Sequence, residues 1–376
     1  MTNSPFIQDR IAGARIMVVG CGALGNEVLK NLVLMGAEHL TLVDFDRVEV
    51  GNLNRSILFS KADAEAGRYK VDAAGERLKQ MNPGLEVRSI CGDVAYDVGL
   101  GLVREMDVVI GCVDNRWARY CINRLCMRAG VPWVDGGIDS LEGTVRVFVP
   151  GKNCYACNLG PEGLKDMARR MPCSGVIRRD EQAGKAPTSS VIASVIGAVQ
   201  VQEALKLLHP EALSDGSLTS LCGRMFYYEG ERLSTKLVEF QAYDPDCPVH
   251  DRWEPVRPSA LHGAMTVAEA LACLRTDLGS ERVGIALTGD CFVDYVVRRE
   301  GEGRLDVMLP GRGVAARLEQ EPSWRGVPPG ALYQHEFREV DGTFPYPGLT
   351  LAQLGIPARD VLYVTAASGD YYVEMR

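Results

Sequence analysis

Apolar and polar positions alternate along the chain in a few simple periods. Arg15 to Val19 is a short apolar run, Ile16-Met17-Val18-Val19, as expected of a strand covered on both faces. Gly20 follows, and an amphipathic segment then runs to Met35. A second apolar run, His39 to Val43, ends on Asp44. Strand, helix and strand at this spacing predict a βαβ unit. Residues 66–80 combine alanine with long polar residues and predict a helix, stopped by Met81-Asn82-Pro83-Gly84. Strands are expected at Glu86 to Ile90, at 107–111 and at 132–135, with a helix over 115–129. Residues 142–149 alternate and carry β-branched side chains, so an antiparallel strand joins the others and the sheet is mixed but mainly parallel. The stretch 189–208 is apolar nearly all round at its start, as a buried or subunit-contacting helix would be. Residues 222–243 read as two strands around a polar turn.

Beyond this the pattern changes. Arg252 to Ser259, with Pro255 and Pro258, reads as a linker centred on 254–258. A helix over 266–278 precedes strands near 283–287, 292–298 and 304–309, and a Pro/Gly-rich stretch over 310–330. The tail predicts a helical turn from Thr350 to Leu354, then strands at 361–366 and 370–375. The fold class expected is therefore α/β, a Rossmann-like domain over 1–253, followed by a smaller α+β domain over 259–376.

Composition narrows the function classes. With 376 residues and 46% hydrophobic content, two or three cored domains are expected. A net charge of −8 argues against nucleic acid as a main partner. No apolar run approaches about 20 residues, so no membrane-spanning helix is expected, and the first fifteen residues lack the apolar core of a signal peptide. The twelve cysteines are scattered, with Cys91, Cys112, Cys121 and Cys126 inside predicted elements. That suits buried thiols in a reducing cytoplasm better than a disulfide framework.

The chemistry begins after the first strand. Gly20, Gly22 and Gly25 stand in GxGxxG spacing, with Ala23 between them. Such glycines let the backbone approach phosphate, and the helix start offers free N–H groups. Asp44 lies nineteen residues after Gly25, where a carboxylate can hold ribose hydroxyls. Asp114 and Asn115 follow the strand at 107–111, at the end where open α/β sheets bind ligands. Asp114 is equally placed to cap the next helix. Cys154 and Cys157 form CxxC, and Cys247 and His250 form CxxH. Such ligands suit tetrahedral zinc, and the two loops would be clamped together. CxxC alone also suits a redox pair. Between the pairs, 158–188 is polar and patchily basic, with Cys173 near Arg169, Arg170, Arg178 and Arg179. Cationic neighbours favour thiolate, although an incidental surface cysteine would look the same.

The run after Asp44 sets the chain apart from a dehydrogenase. Asp46, Asn52-Leu53-Asn54-Arg55 and then Lys70 resemble the DxDxVxxxNLxRQ-plus-lysine pattern of the ThiF, MoeB and ubiquitin-activating enzyme family, with Ser56 in place of Gln. CVDNxxAR over 112–119 resembles the family's next strand motif. The resemblance implies ATP rather than NAD, bound by Gly20, Gly22, Ala23, Gly25, Asp44, Asp46 and Asn52. Arg55 and Lys70 would stabilise phosphate charge. Asp114 would hold Mg²⁺, assisted by Asn115. It points to zinc at Cys154, Cys157, Cys247 and His250. Met171-Pro172-Cys173-Ser174 resembles the catalytic-cysteine segment of ubiquitin-activating subunits, which implies a thioester on Cys173. The tail resembles a ubiquitin-fold (β-grasp) domain that recruits a conjugating enzyme.

The reaction so implied is activation of a ubiquitin-like protein at its C-terminal carboxylate. Family members dimerise through the region of 189–208, so a homodimer, or a heterodimer with a related subunit, is implied. MoeB-type members carry an arginine that reaches the partner's ATP, for which Arg10 is the candidate here unless another subunit supplies it. Three other readings stay open: a sulfur-carrier adenylyltransferase without a thioester, an enzyme adenylating a small molecule, peptide or tRNA, and a non-catalytic scaffold subunit.

Overall fold

Three short apolar runs set the frame of the first unit. They form β1 (Arg15–Val19), β2 (His39–Val43) and β4 (Val108–Gly111), and from the second residue of β1 and β2 onward every position is buried, as is all of β4. The computed structural model describes residues 6–160, 162–165, 189–240, 242–299, 302–313 and 332–376. Its chain divides into two units, Met1–Ala95, Val103–Pro161 and Ala183–Arg252 in one, Tyr96–Leu102, Glu162–Gln182 and Trp253–Arg376 in the other.

In the first unit, β1 pairs in parallel with β2 on one side and β4 on the other. β3 (Glu86–Ile90) extends the sheet beyond β2, and β5 (Trp133–Asp139) extends it beyond β4. The remaining strands, β6 (Glu142–Phe148), β7 (Arg224–Glu229) and β8 (Ser234–Glu239), are antiparallel. The order is β3-β2-β1-β4-β5-β6-β7-β8. The strand order reverses between β1 and β4, which is where open α/β sheets place their ligands.

The helices are α1 (Gln8–Gly13), α2 (Ala23–Leu34), α3 (Lys61–Glu65), α4 (Lys70–Met81), α5 (Leu100–Arg104), α6 (Arg116–Ala129), α7 (Ser190–Leu207) and α8 (Pro210–Ser214). α2 buries Leu24, Val28, Leu29 and Leu32 in the same core as Ile16, Val18 and Leu42. The helix expected over 66–80 starts later, at Lys70, because Gly67 takes a positive φ of 58° and turns the chain after α3. Ser60 and Asp63 cap α3 reciprocally. α7 is long and apolar enough, by length and composition alone, to cross a membrane, yet half of it is buried inside the protein, as a core helix is.

In the second unit, α9 (Val267–Leu278) is capped by Thr266 and Glu269 and closed by Gly279. A five-stranded sheet runs β14 (Glu339–Val340), β10 (Val283–Ala286), β15 (Val361–Ala366), β16 (Gly369–Glu374), β9 (Val256–Pro258). Its last pair, β16 and β9, is parallel, and the others are antiparallel. The residues expected as a linker, 254–258, therefore contribute a strand: Tyr372, Val373 and Glu374 pair with Val256, Arg257 and Pro258. A second sheet runs β12 (Glu302–Pro310), β11 (Phe292–Arg299), β13 (Leu332–Phe337). Leu271, Leu274, Ile285 and Val364 share a core. The helical turn expected at Thr350 is present, with the Gln353 side chain accepting from the Thr350 N–H at 2.8 Å.

Candidate functional site

The candidate site is built where β1, β2 and β4 end. After β1 the chain turns at Gly20, with φ +94°; a Cβ there would lie 2.5 Å from the Cys112 carbonyl oxygen. A Cβ on Gly25 would lie 1.9 Å from the Gly20 carbonyl oxygen. Only glycine fits both places, and the loop folds tightly onto the start of α2. Gly22 is the N-terminal cap of α2, so the backbone N–H groups of its first turn face outward.

Asp44, just after β2, is tied to this loop. Its Oδ2 accepts the Cys21 N–H at 2.7 Å and its Oδ1 the Asp46 N–H at 2.8 Å. Burial raises its pKa, against the pull of Lys70 and the two N–H groups. Lys70 opens α4 and is 8% exposed. Its Nζ donates to Asp46 Oδ2 at 2.7 Å. Burial works against the ammonium, but Asp44 and Asp46 outweigh it, and the pKa is raised. Asp44, Asp46 and Lys70 thus form one charge cluster beside the glycine loop.

Asn52 and Arg55 lie in a tight turn. Asn52 Oδ1 accepts the Glu49 N–H at 3.0 Å, and Arg55 Nη1 donates to the Gly51 carbonyl at 2.6 Å and to Asn54 Oδ1 at 3.2 Å. After β4, Asp114 and Asn115 are both exposed. Asn115, not Asp114, caps α6, accepting the Ala118 N–H at 2.8 Å. Asp114 is left with an exposed carboxylate, 3.4 Å from Asn115 Nδ2.

Three supports escape sequence reasoning. Asn26 is fully buried and bonds to Cys21, Gly22 and Leu58. Arg119 donates from Nε to the buried Asp135 at 3.0 Å and from Nη2 to the Val113 carbonyl at 2.7 Å. Gln200, also fully buried, donates to the Gly111 carbonyl at 2.9 Å and so ties α7 to the end of β4. The available signal was a polar side chain inside an apolar helical stretch, at Asn26 and Gln200.

Arg10 is engaged within its own chain. It pairs with Glu211 and reaches the Leu208 carbonyl at 3.5 Å.

The four sequence-predicted metal ligands converge. Their ligand atoms all lie within 4.8 Å of one another. Cys154 Sγ is 3.7 Å from Cys157 Sγ and 3.8 Å from Cys247 Sγ, and Cys157 Sγ is 3.2 Å from His250 Nε2. A tetrahedron with bonds of about 2.3 Å has sulfur–sulfur edges of about 3.8 Å, so the sulfur spacing fits such a centre. The His250 ring stacks on Tyr243 at 4.5 Å. The hydrogen bond shared with Cys247 lowers the pKa of the Cys154 thiol. Cys173 lies outside the described residues, as do the arginines expected near it.

Comparison with known proteins agrees with this geometry. The model of the ThiF family matches residues 3–249. The SAMP-activating enzyme E1 of Haloferax volcanii is 31% identical over 245 residues, covering 65% of this chain and 83% of that one. The sulfur carrier protein adenylyltransferase of Thermus thermophilus is 31% identical over 251 residues, 65% and 85%. The adenylyltransferase and sulfurtransferase MOCS3 of Sus scrofa is 31% identical over 241 residues, but the match spans only 49% of its length. Among solved structures, E. coli MccB with ATP shares the fold with a TM-score of 0.52 at 22% identity, covering 64% of this chain and 68% of that one.

Proposed function

The chain belongs to the ThiF family, and from that premise we propose that it uses ATP to adenylate the C-terminal carboxylate of a small ubiquitin-like or sulfur-carrier protein. The observation that carries this reading is the Asp44–Asp46–Lys70 cluster, hydrogen-bonded to the glycine loop at the point where the sheet order reverses. The names of the Haloferax and Thermus relatives support the same chemistry.

Residues 20–25 receive the phosphates, with the N–H groups at the start of α2 aimed at them. Asp44 keeps lone pairs beyond those used by Cys21 and Asp46, and these accept from the ribose hydroxyls. Asn52 shapes the turn that presents Arg55. The acceptor carboxylate attacks the α-phosphorus, the bond to the β-phosphate oxygen breaks, and pyrophosphate leaves. Lys70 and Arg55 stabilise the negative charge as it moves onto the leaving group. The exposed Asp114 carboxylate, beside Asn115, is the group that would hold Mg²⁺, which when bound neutralises phosphate charge.

Cys154, Cys157, Cys247 and His250 would hold zinc as a structural clamp between two loops, since three sulfurs and one nitrogen leave no open coordination position. Cys173 is proposed to take the activated acyl group as a thioester. The second unit is proposed as a ubiquitin-fold domain that recruits a conjugating enzyme; the parallel pairing of its first strand, β9, with its last, β16, supports this. With Arg10 engaged on Glu211, a phosphate-directed arginine is proposed to come from a second subunit.

A sulfur-carrier activator with no thioester is the second reading, supported by the Thermus and MOCS3 relatives. The test is ATP–pyrophosphate exchange with candidate small β-grasp proteins, followed by mass spectrometry. Exchange that depends on such a protein and is lost in Lys70→Ala supports the adenylation reading; its absence with every candidate overturns it. A DTT-labile adduct that vanishes in Cys173→Ala supports the thioester. An acyl-adenylate without that adduct supports the second reading.

A further inference from the structure

Asn26 joins two segments that the chain separates. Nδ2 donates to the Cys21 carbonyl at 2.8 Å and to the Gly22 carbonyl at 3.0 Å, and Oδ1 accepts the Leu58 N–H at 2.8 Å. The side chain is fully buried, so both ends of its amide are committed inside the protein. One end grips the glycine loop. The other grips the turn at Leu58, three residues after Arg55, where the chain leaves the 49–55 turn. Leu58 and Phe59 are themselves buried in the core, so among the described residues the outgoing side of the turn is held by their burial together with this polar contact to the glycine loop. Arg55's own bonds run to Gly51, Asn52 and Asn54, all inside the turn. They shape the turn without setting its distance from the phosphate loop.

We infer that Asn26 is a positioning residue: through Leu58 it fixes the Asn52–Arg55 turn against the glycine loop, so that Arg55 and the loop act on the same phosphates. The inference rests on the reading that both segments face one nucleotide. A helix needs no asparagine at its fourth position, and an apolar residue would suit the neighbouring Leu24, Val28 and Leu29. The amide is spent on the link.

The test uses the full chain with Asn26→Ser. A serine hydroxyl still reaches the carbonyl four residues back, as helical serines do, but it is too short to reach Leu58. Amide exchange at Leu58 should accelerate while β1 and β2 keep their protection. The Kd for Mg-ATP should rise about tenfold, the size of one lost hydrogen bond to a buried group. Arg55→Ala should raise it as well, and the double variant should be no worse than Arg55→Ala alone. Unchanged exchange at Leu58, penalties that multiply, or protection lost evenly through β1 and β2 would each overturn the inference. If the wild-type chain binds no ATP, the proposed function falls, while exchange at Leu58 still decides the anchoring. Should Asn26→Ser not fold, Asn26→Thr carries the same measurements.

Discussion

Two aspartates in the same sheet have opposite fates. Asp135, in β5, is completely buried and closed: Arg119 takes one oxygen and Arg146 the other. Asp44, at the end of β2, accepts two backbone N–H groups and stays partly exposed, with Lys70 nearby and its carboxyl raised by burial. The first arrangement has its charge fully answered from within the chain. The second holds its carboxylate in place yet leaves acceptor capacity open, as perturbed groups at binding sites do. The difference separates a pillar of the fold from a candidate site whose carboxylate keeps acceptor capacity to spare.

The comparison breaks first at Asp135. Asp135→Ala leaves two guanidinium groups without their buried partner and should cost about 3–5 kcal/mol of stability, measured by chemical denaturation. A loss no larger than a surface substitution gives would remove Asp135 from the pillar class. Lys70→Ala should do the reverse: a fall of about 10²–10³ in ATP–pyrophosphate exchange, with a smaller loss of stability than Asp135→Ala. Equal destabilisation would mean that both clusters are structural. Next comes the thiol–imidazole group. With free zinc at 100 times its Kd, binding adds about 2.7 kcal/mol, so a chelator should lower the denaturation midpoint of the wild type and leave Cys157→Ser unmoved.

The smallest effect lies at the N-terminus. The Arg10 side chain lowers the Glu211 carboxyl from 4.5 to about 2. A depressed carboxyl contributes stability above its unfolded value, and that contribution is lost as the pH falls towards 2. Protection of the α1 amides, relative to their intrinsic exchange at each pH, should therefore fall in acid, and Glu211→Gln should show the lower protection already at neutral pH.

The parts legible in the sequence are those governed by local pattern. The bounds of β1 and β2 agree with their apolar runs to the residue, because Gly20 and Asp44 close them, and those of β3 agree with the span expected after the Pro83-Gly84 stop. The glycine spacing, Asp44 and the two metal pairs were legible for the same reason. What escaped depends on contacts across the chain. Asn26 meets Leu58 thirty-two positions away, and no period in the sequence links them. The choice of Asn115 over Asp114 as cap turned on which of two adjacent side chains faces the helix start. The strand at Val256–Pro258 read as linker because its pairing partner is the end of the chain, and proline at a sheet edge carries no strand signal of its own.

Gly22 offers a last consequence. Its φ of −72° is open to any residue, and among the described residues nothing lies within 4 Å of where its Cβ would stand. Beyond its place as the cap of α2, the folded chain thus has no steric need for a glycine here, unlike at Gly20 and Gly25. A single methyl group at this position should cost only the N-cap preference of glycine over alanine, and on the proposed reading it would occupy the space where a phosphate approaches. Gly22→Ala is in that sense a separation-of-function allele written into the backbone. On the proposed reading it would keep the protein's shape and every partner surface while silencing adenylation, a ready-made decoy for drawing out whatever this chain binds.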